Sequence, residues 1–431
     1  MKKVYMCFGT DVIHNGHIEI LRKAAELGEV TVGVLTDEVM ASYKRYPIIN
    51  LEQRLQIIES IKYVSKVIVQ EELDYTNNLR KVKPDYVVHG DDWRTGYQAS
   101  IRSKVIDILK EWDGELVEFP YTEDNNIKCL ENTMRERLSM PEFRRARLRK
   151  LLKMNRTIRV LEVHSGITGL IAENTKLEKD GKINEFDAMW LSSLCDSTVK
   201  GKPDIELVDM SSRLKTIEEI LEVTTKPIIL DGDTGGLVEH FNFNIRTLER
   251  MGVSAIIIED KEGLKKNSLF GTEVHQDQAS IESFCEKIRV GKAALKTKEF
   301  MLIARIESLI LEKGMEDALA RAQAYVNAGA DGIMIHSRKK EPDEIFAFCD
   351  AFRLQNKQTP IIVVPTTFNK VYEEELYNHG INIVIYANQL IRSAFPAMQN
   401  TARVILENER AYEVDKLCMP VKEILTLIKE R

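Results

Sequence analysis

The sequence predicts an α/β protein of two domains, in which a doubly wound parallel sheet precedes a (β/α)₈ barrel. Two patterns lead to this prediction. The first part of the chain alternates five apolar runs with amphipathic segments, and from residue 158 onward eight short apolar runs follow, each ending in polar residues. The length of 431 residues agrees, since it suggests two or three domains.

Composition and charge are those of a soluble globular chain with ample core, since 44% of the residues are hydrophobic and 30% are charged. The net charge of −6 argues against nucleic acid or an anionic membrane as partner, because both favour basic surfaces. No apolar run is long enough to span a membrane, and polar residues interrupt any signal-peptide core. The six cysteines form no CxxC pair, so we expect a reducing, cytoplasmic location.

The elements of the first domain follow from its pattern. Helical patterns such as "HIEILRKAAELG" and "LEQRLQIIESIKYV" separate runs that are typical of buried strands. These runs are "KKVYMCFG", "VTVGVLTD", "VSKVIVQ", "PDYVVHGDDW" and "ELVEFPYT". Five such strands with helices between them predict a doubly wound parallel sheet.

A basic helical linker is predicted over residues 136–157. Leu148, Leu151 and Leu152 recur at helical spacing among arginines and lysines. The segment is interpreted as a solvated amphipathic helix. A phosphate or nucleic-acid patch is the alternative, which the acidic balance of the whole chain disfavours.

The barrel is predicted over residues 158–431. Its eight apolar runs are "IRVLEVHSG", "FDAMWLSS", "KPIILDGD", "VSAIIIED", "EFMLIARIES", "ADGIMIHSR", "TPIIVVPTT" and "INIVIYANQ". In such barrels the carboxyl ends of the strands carry the chemistry. Here those ends hold His164, Ser192, Asp231, Asp233, Glu259, Arg305, Glu307, His336, Thr366 and Asn388.

Three carboxylates can converge at this rim. Asp231 and Asp233 stand two residues apart in "IILDGDTGG", at a spacing that shares one face of a strand, and Glu259 ends the next strand. Like charges this close repel unless a positive group lies between them. Oxygen ligands without a nearby cysteine favour Mg²⁺, with Mn²⁺ possible, over zinc. The alternative is that individual carboxylates pair with Lys261 or Arg305. Arg305 would otherwise suit a phosphate or carboxylate.

The barrel segments resemble phosphoenolpyruvate mutases of the isocitrate lyase superfamily. The resemblance runs in order through residues 158–431 and includes "LEVHSGITGLIAE", "LDGDTGG", "IEDKEGLKKNSLFG", "ARIES", "DGIMIHSRKKEPDEI" and "YANQLIRS". It implies a TIM barrel that isomerises phosphoenolpyruvate and phosphonopyruvate, the step that makes the carbon–phosphorus bond of natural phosphonates. It also implies a homo-oligomer, a dimer of dimers with exchanged last helices.

The resemblance assigns roles to individual residues. Asp231, helped by Asp233 and Glu259, would hold Mg²⁺. The substrate carboxylate would be bound by residues of the second strand end, Trp190, Ser192 and Ser193.

The remaining roles concern the phosphoryl group. Arg305, His336 and Asn267 would hold it, and Asp204 in "GKPDIEL" would act as a nucleophile or steady a metaphosphate-like species. Lys265 and Asn267 lie on the segment "KEGLKKNSLFGTE" (261–273), here called the flap, which would close over the site. Closure is a chemical requirement, because water would otherwise capture the phosphoryl group.

Two relatives of the mutase are alternatives. Lyases of the superfamily carry a catalytic cysteine on the flap, and this flap has none. Phosphonopyruvate hydrolases share most of the pocket and tend to differ at the position of Asn267, so the asparagine favours the mutase.

The first domain contains a second candidate site. In "FGTDVIHNGHIEIL" a strand ends and a helix opens, with His14 and His17 one turn apart, an arrangement that suits a triphosphate. With Lys44 and "HGDDW", residues 1–122 resemble cytidylyltransferases related to the glycerol-3-phosphate enzyme. The resemblance implies CTP binding and transfer of CMP to a phosphate or phosphonate. The nucleotide-binding candidates are Thr10, Asp11, His14, His17, Lys44, Asp91 and Asp92.

This domain, predicted over residues 1–135, departs from the cytidylyltransferase pattern. After "FPYT" the family has an arginine and then Gly-Ile-Ser-Thr-Thr, where this chain reads "EDNNIKCLENT". An active cytidylyltransferase and a relic domain that only binds or supports assembly are therefore both open, and Asp91 and Asp92 can be a simple polar strand end.

Overall fold

The computed structural model describes residues 1–10, 12–43, 47–94, 98–120, 136–154, 156–179, 182–263 and 265–428. The chain divides into two compact units. The first unit comprises residues 1–156 and 174–187, and the second comprises residues 157–173 and 188–431. The domain bounds 1–135, 136–157 and 158–431 stay a prediction.

The first unit contains a five-stranded parallel sheet in the order β3-β2-β1-β4-β5, which confirms the predicted doubly wound arrangement. Its strands are β1 (Lys3–Phe8), β2 (Glu29–Leu35), β3 (Lys66–Gln70), β4 (Tyr86–Gly90) and β5 (Glu115–Phe119). Its helices are α1 (Asn15–Leu27), α2 (Asp37–Tyr43), α3 (Leu51–Glu59), α4 (Thr76–Val82) and α5 (Gln98–Leu109), with 3₁₀ turns at Asp91–Arg94 and Lys110–Trp112.

Both faces of this sheet are covered because β1 is apolar on both sides. Val4 and Met6 join the cluster packed around α1 and α3, whereas Tyr5, between them, joins the cluster around α4 and α5. Alternate residues of a strand point to opposite faces, so a continuous apolar run fits a strand buried on both.

The predicted linker helix is observed as α6 (Pro141–Leu151), with proline in its first turn. Leu148 and Leu151 are buried, as an amphipathic helix requires, but so is Arg144, which the sequence pattern does not predict. The strands β7 (Lys176–Lys179) and β8 (Lys182–Glu185) form an antiparallel pair that the sequence analysis also misses.

The second unit is a closed barrel of eight parallel strands, as predicted. The barrel strands are β6 (Ile158–Val163), β9 (Ala188–Leu191), β10 (Ile228–Asp231), β11 (Ala255–Glu259), β14 (Met301–Ile306), β15 (Gly332–Ile335), β16 (Ile361–Val363) and β17 (Ile383–Tyr386). A short antiparallel pair, β12 (Lys261–Glu262) and β13 (Asp277–Gln278), lies outside the barrel sheet.

Helices follow the barrel strands. They are α7 (Gly166–Asn174), α8 (Ser193–Val199), α9 (Met210–Val223), α10 (Val238–Met251), α11 (Ile281–Ala294), α12 (Met315–Asn327), α13 (Asp343–Gln355), α14 (Glu373–Asn378), α15 (Gln389–Asn408) and α16 (Val421–Thr426). The 3₁₀ segments are Ser268–Glu273 and Tyr412–Leu417. Across the described residues, no helix is both long enough and apolar enough to cross a lipid bilayer.

Strand pairing brings the polar strand ends to one rim. Asp231, the last residue of β10, pairs with Ile257, and Glu259, the last residue of β11, pairs with Arg305. Parallel strands end on the same side of a barrel, so these groups share the face on which barrel enzymes place their active sites.

Candidate active sites

The loop after β10 brings two aspartates together by a turn. The strand ends at Asp231, so Asp231 and Asp233 are not neighbours on one strand face, as the sequence analysis expected. Asp233 instead has a left-handed backbone, with φ of 52°, and its amide donates a long hydrogen bond of 3.4 Å to Asp231 Oδ1. Gly232 permits this turn, because a Cβ there would stand 2.6 Å from Ile256 Cγ1.

Asp231 is held from two sides. The backbone amide of Ser193 donates to its Oδ2 at 3.1 Å, and the Ser193 hydroxyl donates to the same oxygen at 2.7 Å. Burial opposes its charge, but nearby Lys265 and Arg213 outweigh that effect and lower the pKa of Asp231 to about 2. Asp231 is therefore a carboxylate at neutral pH.

The flap places a lysine among the aspartates. Lys265 Nζ donates to Asp233 Oδ1 at 2.6 Å and to the Ser193 hydroxyl, and it lies 3.9 Å from Asp231 Oδ2. Burial disfavours its charge, yet the carboxylates together raise the pKa of Lys265 well above its usual range. The positive group that the two aspartates require is thus present within the chain itself.

Asp204 is oriented by the same flap. Its Oδ1 accepts from Lys265 Nζ at 3.2 Å, and its Oδ2 accepts from Asn267 Nδ2 at 3.0 Å. Its side chain is only 7% exposed. The three residues that the resemblance assigns to phosphoryl transfer and to the flap therefore contact one another.

Arg213, on α9, is a participant that the sequence analysis missed. Its Nη1 donates to Asp233 Oδ2 at 2.8 Å, so Asp233 is bound by two cations. Even so, burial outweighs both cations and raises the pKa of Asp233. Nothing in the pattern of α9 distinguishes this arginine from a solvated one, so only the fold reveals the pair.

Glu259 has the properties of an unsatisfied ligand. It is 1% exposed, and both carboxylate oxygens lack a hydrogen-bond partner among the described residues. Lys261 Nζ and Arg305 Nη2 stand 3.6 and 3.5 Å away, so the alternative of pairing with these cations is only loosely met. Burial raises the pKa of Glu259 to about 7. Its two oxygens are donors of the kind that a hard divalent ion prefers. The structure does not gather Asp231, Asp233 and Glu259 into one compact set: among the described residues, Glu162, His164 and Cys195 are the three whose ligand atoms all lie within 4.8 Å of one another.

Arg305 and His336 form a contiguous pair at two neighbouring strand ends. Arg305 Nε donates to Glu307 Oε1 at 2.6 Å, and its Nη2 donates to Ser268 Oγ at 2.6 Å. His336 Nδ1 lies 2.8 Å from Arg305 Nη2 and, because a guanidinium has no acceptor, must accept there. Burial and the adjacent Arg305 lower the pKa of His336, so the ring is neutral and carries its proton on Nε2.

A cavity of ≈ 70 Å³ lies between these groups. Its lining includes Asp231, Lys265, Arg305, His336, Trp190, Ser192, Ser193, Asp204, Asn267, Thr366 and Asn388. Asp233, Glu259 and Arg213, although close by, do not belong to this lining. His164 is not one of the described residues that line this cavity. Its Nδ1 instead lies 2.9 Å from Glu162 Oε2. Most strand-end candidates thus converge on one small space, which suits a small anionic substrate.

The candidate nucleotide site of the first unit is a larger cavity of ≈ 190 Å³. Gly9, Thr10, His14, His17 and His89 contribute to its lining. Asp91 does not line it among the described residues. Asp11, Lys44 and the side chain of Asp92 lie outside the described residues, as does the segment "EDNNIKCLENT".

The two histidines of this cavity fix the start of α1. His14 caps the helix rather than lying on it, because its Nδ1 accepts from the Gly16 amide at 3.1 Å. His17 Nδ1 accepts from the His14 amide at 3.4 Å, and the two ring centroids are 3.8 Å apart. When neutral, both rings therefore carry their proton on Nε2, as donors to an anion would.

Comparison with known proteins identifies the family to which the barrel segment belongs. Residues 148–406 match the family model described as phosphoenolpyruvate phosphomutase, which covers more than half of the chain. The chain belongs to the phosphoenolpyruvate phosphomutase family. Residues 6–137 match a second model, described as cytidylyltransferase-like. Both resemblances drawn from the sequence are thereby confirmed.

Relatives of this family member match about three fifths of the chain. The phosphoenolpyruvate phosphomutase of Tetrahymena pyriformis is 35% identical over 273 residues, which are 62% of this chain and 85% of that protein. The phosphonopyruvate hydrolase of Variovorax sp. (strain Pal2) is 36% identical over 262 residues, 60% of this chain and 89% of that protein. Overall identity alone therefore does not separate isomerase from hydrolase.

A solved structure shows the same architecture. A phosphonopyruvate hydrolase in complex with oxalate and Mg²⁺ superposes with a TM-score of 0.59 at 32% identity. The match covers 66% of this chain and 94% of that one.

Proposed function

We propose that this phosphoenolpyruvate phosphomutase family member interconverts phosphoenolpyruvate and 3-phosphonopyruvate. The observation that carries the proposal is the position of Asp204, which faces the cavity and is bound by both Lys265 and Asn267 of the flap. The group that would receive or steady the phosphoryl is thus oriented by two residues of the flap.

The reaction balances within one substrate. The bond between phosphorus and the enol oxygen breaks, the electron pair stays on the pyruvate enolate, and a bond from phosphorus to C3 of that enolate then forms. Asp204 would accept the phosphoryl group between the two steps or steady it in flight. Because the transition state is loose and its charge is spread, catalysis needs mainly positioning and electrostatics.

The remaining residues of the rim can bind the negatively charged groups of the substrate and of the enolate. Arg305 and the Nε2 proton of neutral His336 would bind the phosphoryl oxygens, and Ser192 and Ser193 would bind the carboxylate. Asp231, Asp233 and Glu259 would hold Mg²⁺, with Mn²⁺ as a substitute. A bound ion would stabilise the negative enolate oxygen.

Phosphorus NMR of the full-length chain with phosphonopyruvate and Mg²⁺ tests this proposal. Phosphoenolpyruvate is the expected product. Free phosphate and pyruvate would instead identify a hydrolase, the alternative that the Variovorax relative represents. Asn267, whose amide donates to Asp204 Oδ2 at 3.0 Å, favours the isomerase, because the hydrolases tend to differ at this position.

Magnesium affinity should depend on pH through Glu259. Because burial raises its pKa to about 7, the carboxyl is largely protonated below that pH, and a proton must leave before the ion binds. We expect affinity to fall by up to about tenfold per pH unit below 7 and to level off above it. Calorimetric titration of Mg²⁺ from pH 5.5 to 8.5 measures this.

The matched variant for this titration is Glu259→Gln, which should bind Mg²⁺ more weakly and without the inflection near pH 7. Substitution of the exposed Glu239 by glutamine is the control and should leave the profile unchanged. An inflection that persists in Glu259→Gln would assign the titration to another group.

For the first unit we propose transfer of CMP from CTP to a phosphonate. The cavity beside His14 and His17, and the match to the cytidylyltransferase-like model, support this. The barrel product would not itself be the acceptor, since later enzymes must first convert phosphonopyruvate. A binding or assembly role is the alternative.

His17→Ala should weaken CTP binding and pyrophosphate release by about 10²-fold, because one of the two imidazoles facing the phosphates is lost. Calorimetry and a pyrophosphate assay on the full-length chain measure both effects, with the exposed His240→Ala as control. If the unmodified chain neither binds CTP nor releases pyrophosphate, the assembly role stands instead.

We further propose that the chain forms a homo-oligomer through its last helices. Helix α15 buries none of its residues in the single chain, and Met398 and Leu406 on it are 61% and 80% exposed. Apolar side chains this exposed mark an interaction surface. Met398→Glu combined with Leu406→Glu should lower the mass in light scattering to that of one chain, 49.4 kDa. The exposed Gln399→Glu should not change it.

A further inference from the structure

One carboxylate of the barrel rim contacts two other segments of the chain. Glu206 lies two residues after Asp204 and has a left-handed backbone, with φ of 57°. Its Oε1 accepts from the amide of Thr234 at 2.9 Å and from the Thr234 hydroxyl at 2.7 Å. Its Oε2 accepts from the backbone amide of Lys265 at 3.3 Å. Glu206 therefore joins its own loop to the acidic loop after β10 and to the flap.

The two ends of this bridge differ in character. Thr234 follows Asp233, and Lys287 Nζ donates to its carbonyl oxygen at 2.8 Å. The acidic loop is thus a fixed anchor. The other end is the backbone amide of Lys265 in the flap, the segment that the proposed mechanism requires to open for substrate.

We propose that Glu206 is a positioning residue that fastens the flap over the site and so keeps water from the phosphoryl group in flight. The inference rests on the proposed isomerase function and goes beyond it, because Glu206 does not line the substrate cavity. Its effect passes through Lys265, because the residue whose backbone amide it binds is the one whose ammonium contacts Asp204 and Asp233.

Glu206→Gln is the most informative variant, since it keeps the size and shape of the side chain and removes one hydrogen-bond acceptor. The single amide oxygen can still accept from Thr234, which leaves an NH₂ group facing the Lys265 amide, donor against donor. Hydrogen exchange of the amides of residues 265–268, followed by mass spectrometry on the full-length chain with Mg²⁺ and phosphonopyruvate, should then be about tenfold faster than in the unmodified protein.

Turnover gives a second readout that a merely structural role would not move. In Glu206→Gln a larger share of phosphonopyruvate should end as free phosphate and pyruvate, measured by phosphorus NMR at equal conversion. The control is Glu222→Gln on the exposed side of α9, which should match the unmodified chain in exchange and in product ratio. Melting temperatures check that both variants are folded.

The outcomes are distinguishable. Faster flap exchange with more phosphate supports the inference. Unchanged exchange and unchanged product ratio in a folded Glu206→Gln overturn it, even if the unmodified chain isomerises normally. If the unmodified chain does not isomerise, the proposed function fails, while the exchange measurement still reports whether Glu206 fastens the flap.

Discussion

Replacing Asp204 by asparagine should abolish isomerisation while the barrel stays folded. The substitution keeps the size of the side chain but removes the charge that would capture or steady the phosphoryl group, and it gives Lys265 and Asn267 a poorer acceptor. Loss of such a group lowers kcat by at least about 10³-fold. Phosphorus NMR with phosphonopyruvate and Mg²⁺ measures the rate, and circular dichroism checks the fold.

The control for this variant is Asp343→Asn, at an exposed position in the first turn of α13. It should leave kcat unchanged. Turnover of Asp204→Asn within tenfold of the unmodified enzyme would remove Asp204 from the mechanism and leave Arg305 and His336 as the groups that manage the phosphoryl charge.

Replacing Lys265 by methionine should have the second largest effect. We expect it to lower turnover and to raise the affinity for Mg²⁺. Turnover should fall by about 10²-fold or more, because Asp204 loses its partner and the flap loses its hold on the acidic loop. Magnesium should bind more tightly, because Asp231 and Asp233 are left without the ammonium that neutralises them. Steady-state kinetics and calorimetric titration of Mg²⁺ measure the two effects separately.

Stability supplies a further check on Lys265→Met. Removing one partner of a buried charged cluster costs about 3–5 kcal/mol, so the variant should unfold more readily without Mg²⁺ and recover when the ion is added. Lys266→Met, one residue along the flap, is the matched control. A metal affinity that falls in Lys265→Met would show that the lysine helps the ion to bind rather than competing with it.

The barrel and its rim could be predicted because both follow from local patterns. Each strand is an apolar run, and each run ends in a polar residue, so Asp231, Glu259 and Arg305 had to meet wherever parallel strands close into a barrel. The same reasoning gave the first unit, in which alternate residues of β1 pack on opposite faces of the sheet.

The partners of these groups could not be predicted in the same way. Which cation meets Asp233 depends on how α9 packs, and Arg213 carries no sign in the sequence that it turns inward. The contact of Glu206 with Lys265 joins residues 59 positions apart through two loops. Loop conformation of this kind arises from tertiary packing, which periodicity does not encode. The assignment of individual residues to metal and substrate stays a prediction.

The ammonium group lodged among the acids of the barrel also bears on how the protein behaves when magnesium is scarce. Many metalloproteins collapse on chelation because their ligands repel one another once the ion is gone. Here the Lys265 ammonium already lies among these acids. The protein dialysed against EDTA should therefore be inactive but folded, and activity should return when Mg²⁺ is added back.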